Sequence, residues 1–178
     1  MQLYNILNME YYMVIIGSHY YIKKNYDKMK EHYLKAIELN SPKAMICLGG
    51  YYKNIEKDYD KMKEYYLKAI MFNNTDAMCH LGNYYQYIEK DYDKMDEYYL
   101  KAIELNNSNA MSNLGYYYHK IENYDKMKEY YLKAIMFNNS DAMCNLGYYY
   151  KNVEKNYNKM KEYYLKAIMF NNSDFIME

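Results

Sequence analysis

The stretch "YDKMKEYYLKAIMFNNTDAM" runs from Tyr59 to Met78, and it returns at Tyr124–Met143 with one change, Ser140 for Thr75. Its first tyrosine also recurs throughout the chain, at steps of 33, 33, 32 and 33 residues: Tyr26, Tyr59, Tyr92, Tyr124 and Tyr157. A Leu-Gly pair recurs between these phrases, at 48–49, 81–82, 114–115 and 146–147. A fixed period in the thirties is typical of stacked repeats.

A single copy, residues 41–72, has the pattern of two amphipathic helices, because apolar residues recur at helical spacing in both of its halves. Ser41 followed by Pro42 predicts the start of the first helix. A capping residue also precedes the second helix in every copy: Asn25, Asp58, Asp91, Asn123 and Asn156. The repeat is therefore predicted to be a helical hairpin.

The glycine of the Leu-Gly pair lies inside the first helix, where it costs up to about 1 kcal/mol relative to alanine. We expect the partner helix to approach closely there, with Ala69 and its equivalents as the matching small surface. Most of the 30 tyrosines are expected in the core, because a buried tyrosine removes a large apolar area from water.

The predicted fold is all-α, an α-solenoid of about five stacked helix-turn-helix repeats within a single domain, 1–178. The repeats are predicted at about 11–40, 41–73, 74–106, 107–138 and 139–171, with short end segments at 1–10 and 172–178. Apolar residues near both ends are expected to be partly exposed: Tyr12, Ile15, Ile16, Phe170, Phe175 and Ile176.

The repeat resembles the Sel-like repeat, a branch of the tetratricopeptide superfamily. The residues that carry the resemblance are Asp58, Lys61, Tyr66, Lys68, Ala69, Ala77, Leu81, Gly82 and Tyr85. The chain departs from the family pattern at Met62, where alanine is usual, and at Tyr65, where tryptophan is usual. The loop between the helices is also about three residues shorter. The resemblance covers nearly the whole chain, and its composition is similar to that of repeat proteins from giant DNA viruses and AT-rich protists.

This resemblance implies right-handed stacked hairpins and a non-enzymatic role in protein–protein interaction or scaffolding. It also implies that the first helix of each pair lines a concave face. Residues on these helices differ between repeats although the core positions do not, which favours a surface that faces solvent or a partner. The predicted partner-binding residues are Lys53, Asn54, Asn83, Gln86, Tyr87, Tyr116, His119, Lys120, Tyr148, Lys151 and Asn152. Drift on a solvated surface is the alternative.

Composition argues against several other functions. The formal net charge is +0 and the chain contains no arginine, so phosphate binding is disfavoured. The four histidines occupy different repeat positions without metal-ligand spacing, and no cofactor motif is present. Three cysteines predict reduced thiols rather than a disulfide framework, and no segment reads as a secretory signal or membrane span.

The sequence therefore predicts a cytoplasmic adaptor (in the host cytoplasm if the chain is viral) that binds a protein or peptide, with no catalytic, metal or cofactor site. One alternative is a spacer that self-associates through its ends, or a remnant of a longer array. Single-stranded RNA binding is a further alternative, since helical repeats can read bases.

Overall fold

The computed structural model describes residues 2–173, and the side chains of residues 9–170. It contains no strand in this range and ten α-helices: α1 (Gln2–Ile22), α2 (Tyr26–Glu38), α3 (Pro42–Tyr51), α4 (Tyr59–Ile70), α5 (Thr75–Tyr84), α6 (Tyr92–Glu104), α7 (Ser108–Lys120), α8 (Tyr124–Met136), α9 (Ser140–Asn152) and α10 (Tyr157–Ser173). This arrangement confirms the prediction of an all-α solenoid. Residues 2–10, expected as a short end segment, are helical and belong to α1.

The chain divides into two compact units, unit 1 (residues 1–81) and unit 2 (82–178), with the boundary inside α5. In unit 1, α1 packs on α2, α2 on α3, and α3 on α4. In unit 2, consecutive helices pack on each other from α6 to α10. Each unit thus consists of hairpins whose second helix packs on the first helix of the next.

The predicted helix caps are confirmed. The side chains of Asn25, Asp58, Asp91, Asn123 and Asn156 each accept a hydrogen bond from the backbone N–H three residues later. Ser41 caps α3 in the same way, with Pro42 at the first helical position. Such caps fix where each helix begins.

The repeat glycine does allow close packing, but against a different residue from the one predicted. A Cβ placed on Gly49 would lie 2.6 Å from the ring of Tyr66, and the equivalent glycines 17, 82, 115 and 147 face Tyr33, Tyr99, Tyr131 and Tyr164 at 2.5 to 2.8 Å. The residue nearest to the glycine is therefore Tyr66 and its equivalents, whereas Ala69 was expected there. A flat ring of the second helix lies on the bare backbone of the first.

A stacked pair of tyrosines joins the two helices in four of the five hairpins, and in the α1/α2 hairpin Tyr20 stacks on His32 instead. Tyr65, which stands in place of the family's tryptophan, stacks on Tyr52 with ring centroids 5.6 Å apart. The ammonium groups of Lys61 and Lys68 each lie 5.0 Å from one of the two ring centroids. The same stack recurs at Tyr85–Tyr98, Tyr118–Tyr130 and Tyr150–Tyr163. Tyrosine thus replaces tryptophan without loss of an aromatic contact.

Successive repeats are joined by a tyrosine pair and an ion pair. In unit 2, Tyr124 lies 5.1 Å from Tyr149, and Lys128 donates to Glu154 Oε1 at 2.5 Å. In unit 1, Lys30 donates to Glu56 in the same way, at 3.4 Å. Asp96 occupies the equivalent position on α6, so the lysine of this ion pair is missing there.

The loops inside the hairpins differ in length. Three repeats have one more residue between the glycine and the next helix than the other two. Two of these extra residues are accommodated in π-helical turns, Tyr52–Glu56 and Tyr85–Glu89, each followed by a lysine with positive φ. An inserted residue often produces this kind of turn.

Apolar side chains near the beginning of the described range are exposed. Tyr12 is 60% and Ile15 45% exposed, whereas Ile16 and Phe170 are half-buried. Phe175 and Ile176 lie outside the described residues. Over residues 2–173, no helix combines the length and apolar character needed to cross a membrane.

Candidate functional site

Unit 2 contains a groove with a volume of about 490 Å³ between α7 and α9. Its lining residues are Tyr116, His119, Lys120, Glu122, Tyr124, Asn145, Tyr148, Asn152 and Val153. We call it the α7/α9 groove. Its volume lies within the range typical of ligand pockets.

The repeat glycine determines which side chains reach the groove. Gly115 and Gly147 turn one side of α7 and α9 toward their own second helices. Tyr116 and Tyr148 follow these glycines directly, and Lys120 and Asn152 come one helical turn later on the same side. Two successive first helices therefore contribute equivalent positions to a single groove.

Aromatic rings surround His119 in the groove. Its ring centroid lies 6.1 Å from that of Tyr124, 6.3 Å from that of Tyr148 and 6.2 Å from that of Tyr149. Burial, together with the nearby charge of Lys120, lowers the pKa of His119. The imidazole is thus neutral at pH 7 and presents a flat polar ring.

Polar groups lie around these rings. Lys120 Nζ lies 5.4 Å from the ring centroid of Tyr116, which places the ammonium over an aromatic face. Asn152 Nδ2 donates to the Tyr148 backbone carbonyl at 3.0 Å. Glu122, in the left-handed conformation at φ 59°, follows α7 and contributes a carboxylate. The groove thus combines aromatic surface with amide, ammonium and carboxylate groups.

Five of the eleven predicted site residues line this groove: Tyr116, His119, Lys120, Tyr148 and Asn152. Lys151 and Tyr87 are exposed but lie outside its lining. In unit 1, Lys53 is half-buried, with its pKa lowered by burial and by Lys57, and Asn54 is exposed.

Two other predicted residues serve the interior of the protein. Gln86 is only 7% exposed, so its side chain is not part of an exposed surface as expected. Its Oε1 and Asn83 Oδ1 each lie 2.9 Å from the hydroxyl of Tyr99. The variation between repeats at these positions therefore has two sources: different internal hydrogen bonds and different exposed side chains.

Four groove residues were missed. Tyr124 belongs to the tyrosines, most of which are expected in the core, and Glu122 and Val153 lie just beyond the ends of α7 and α9. Asn145 could have been found, since its repeat position also varies between copies: Ile15, Cys47, His80, Asn113 and Asn145.

Unit 1 contains a cleft of a different character along α1, with a volume of about 670 Å³. We call it the α1 cleft. Its lining is mainly apolar and consists of Glu10, Tyr11, Val14, Ile15, Ser18, His19, Ile22 and Lys43. In the part of the chain that the structure describes, no cluster of three or more His, Cys, Asp or Glu residues is placed to hold a metal ion.

The family model for the tetratricopeptide repeat matches residues 11–42, 48–76, 75–109, 108–141 and 140–174. No curated protein sequence matches the chain.

Solved structures with a similar fold include c5321, a protective antigen of uropathogenic Escherichia coli with an SLR fold (21% identity, TM-score 0.71). The match covers 89% of this chain and 38% of that one, so the chain spans well under half the length of c5321. A Sel1 repeat protein from Oxalobacter formigenes matches at 25% identity and TM-score 0.67, over 88% of this chain and 69% of that one.

The immunity protein PA5088 from Pseudomonas aeruginosa matches at 25% identity and TM-score 0.62, over 89% of this chain and 66% of that one.

Repeat proteins of this type commonly act as scaffolds for protein–protein interaction and are generally not enzymes. The five matched repeats and these structural relatives establish that the chain belongs to the tetratricopeptide repeat family, with structural similarity to Sel1-repeat proteins.

Proposed function

We propose that the chain is a non-enzymatic adaptor that binds an extended segment of a partner protein in the α7/α9 groove. One observation carries the proposal. The α7/α9 groove is lined by positions that vary between repeats, which lie on two successive first helices, and one of these positions holds an exposed tyrosine, Tyr148. Constraints of packing do not explain why tyrosine occupies such a position.

The chemistry of the groove suits a peptide. Tyrosine provides a large contact area at little conformational cost and is enriched among the residues that dominate binding energy. The amides of Asn145 and Asn152 lie among the rings, where they can bond to the backbone of an extended segment. His119 is neutral, and Lys120 and Glu122 balance each other, so the groove favours no strongly charged ligand.

Affinity capture from a lysate of the source organism, followed by mass spectrometry, tests the proposal. The intact chain is compared with Tyr148→Ala and with a matched control, Tyr157→Ala, which removes an exposed tyrosine outside the groove. A partner that Tyr157→Ala retains and Tyr148→Ala loses supports the adaptor. Partners that are retained by both variants would exclude the groove as the binding site.

Self-association is a second candidate, favoured by the α1 cleft. Tyr11, Ile15 and Ile22 are 63%, 45% and 78% exposed along this single helix. An exposed apolar surface of this kind often marks an interaction site. If the chain is mainly a spacer, light scattering will show a mass that rises with concentration and falls to that of one chain on Ile15→Lys.

A further inference from the structure

The hydroxyl of Tyr131 has an unusual environment for its repeat position. Tyr131 is 0% exposed, and its hydroxyl has no hydrogen-bond partner among the described residues. Only one other buried side-chain atom in that range shares this property, the Oδ1 of Asp96. A buried hydroxyl without a partner is unfavourable, so its presence calls for an explanation.

Equivalent tyrosines show where this hydroxyl points. The hydroxyl of Tyr33 lies 3.1 Å from that of Ser18. The hydroxyl of Tyr99 lies 2.9 Å from Asn83 Oδ1 and 2.9 Å from Gln86 Oε1. These partners occupy the first and fourth positions after the repeat glycine. In the repeat of Tyr131, the same two positions are Tyr116 and His119, which both line the α7/α9 groove.

This equivalence places the Tyr131 hydroxyl behind Tyr116 and His119, on the buried side of the groove lining. Burial raises its pKa, and the hydroxyls of Tyr116 and Tyr87 raise it further, which places these phenols close to it. The hydroxyl is thus neutral and able to donate to a group that enters beside Tyr116.

We propose that the segment bound in the α7/α9 groove carries an asparagine or glutamine side chain that inserts beside Tyr116 and accepts a hydrogen bond from Tyr131. This inference rests on the proposed function of the groove. The neighbouring repeat shows the chemistry, since carboxamide oxygens satisfy the equivalent hydroxyl of Tyr99.

A carboxamide fits this position better than a charged group. It is neutral, so its burial does not require an ion to leave water. The ring of Tyr116 is only half-buried, so a change of its rotamer would open space for the ligand beside the Tyr131 hydroxyl. The ligand would thus complete a hydrogen bond that two other repeats make internally.

The test is a selection of phage-displayed random twelve-residue peptides on the intact chain, on Tyr131→Phe and on Tyr99→Phe. Tyr99→Phe is the matched control, because its hydroxyl is satisfied inside the protein. Circular dichroism first establishes that all three proteins are folded. We expect the intact chain and Tyr99→Phe to enrich peptides with Asn or Gln at one fixed position, and Tyr131→Phe to lose this preference.

A peptide selected in this way should bind Tyr131→Phe roughly fivefold more weakly, the factor that one hydrogen bond typically gives. Equal amide enrichment on Tyr131→Phe and on the intact chain would overturn the assignment of Tyr131 while leaving the groove as a peptide site. If no peptide is enriched on any of the three proteins, the proposed function itself is wrong, and this inference with it.

Discussion

At the residue scale, one tyrosine position has two different environments in neighbouring repeats. The hydroxyl of Tyr99 is satisfied by Asn83 and Gln86, whereas that of Tyr131 has no partner among the residues described. Both rings are fully buried against a repeat glycine. The two tyrosines thus differ mainly in hydrogen bonding.

The same substitution should therefore have opposite effects at these two positions. We expect Tyr99→Phe to lower the free energy of unfolding by about 1–2 kcal/mol, because the side-chain oxygen of the buried Gln86 loses its hydrogen-bond donor. Tyr131→Phe should leave it unchanged or raise it by up to about 1 kcal/mol, since an unsatisfied hydroxyl is removed. Urea denaturation monitored by circular dichroism measures both, and equal losses would contradict the account.

Adjacent glycines in α3 provide a second matched pair. A Cβ on Gly49 would meet the Tyr66 ring at 2.6 Å, whereas the nearest atom to one on Gly50 is the Tyr66 hydroxyl at 3.9 Å. We expect Gly49→Ala to destabilise unit 1 by about 1–3 kcal/mol through overpacking.

Gly50→Ala should instead stabilise the protein by up to about 1 kcal/mol, because alanine is the better helix former. Thermal denaturation of the two variants distinguishes them. A loss of stability for Gly50→Ala equal to that for Gly49→Ala would show that the close approach to Tyr66 is not what requires glycine.

The sequence predicted the local features at this scale and missed a tertiary one. Capping by Asp58 or Asn123 depends only on neighbouring residues, so the pattern was sufficient. The contact of Gly49 with Tyr66 rather than Ala69 depends on how the second helix is rotated. Both residues lie on the inner face of α4, and periodicity alone cannot decide between them.

At the element scale, the contacts between successive helices are not equivalent. Glu154 accepts hydrogen bonds from Lys128 and from the Tyr149 hydroxyl, which joins α8 to the end of the next helix. On α6, the position of Lys128 is occupied by Asp96, whose buried Oδ1 has no partner within the described residues. The repeated phrase predicts helices well, but a single altered residue changes their contact.

Asp96→Asn should stabilise the protein at pH 7. Burial raises the pKa of Asp96, against the attraction of Lys126, so the ionised carboxylate is disfavoured in the folded state. This penalty exists above the unfolded pKa of about 3.9 and disappears as the pH falls below it. The gain should stay below about 1 kcal/mol, because water screens a half-exposed side chain.

Glu154→Gln should have the opposite effect to Asp96→Asn and should destabilise the protein at pH 7. The hydrogen bond from Lys128 lowers the pKa of Glu154, so the ionised form stabilises the fold at pH 7 and this contribution is lost as the pH falls through the folded pKa. Urea denaturation measures the free energy of unfolding between pH 7 and pH 3. As the pH falls, this free energy should approach the wild-type value from above for Asp96→Asn and from below for Glu154→Gln. An Asp96→Asn gain that persists at pH 3 would contradict the burial argument.

At the scale of the whole molecule, the repeats explain why the sequence predicts the fold so fully and the site only in part. Each copy repeats the helix cap and the packing of a tyrosine ring on the repeat glycine, so the sequence specifies the same hairpin five times. The groove depends instead on the residues in which copies differ. Residues that form internal hydrogen bonds, such as Gln86, and exposed residues, such as Tyr148, both vary between copies. Variation in the sequence therefore does not distinguish the two kinds of residue.

The most direct measurement is the affinity of one fluorescein-labelled peptide, selected against the intact chain, for three proteins. Tyr148 and Tyr157 are similarly exposed, at 54% and 61%, but only Tyr148 lines the α7/α9 groove. Fluorescence anisotropy should show that Tyr148→Ala weakens binding by about tenfold or more, as expected for a central tyrosine contact. Tyr157→Ala should bind like the wild type. Equal affinity for all three proteins would contradict the claim that the α7/α9 groove is the binding site.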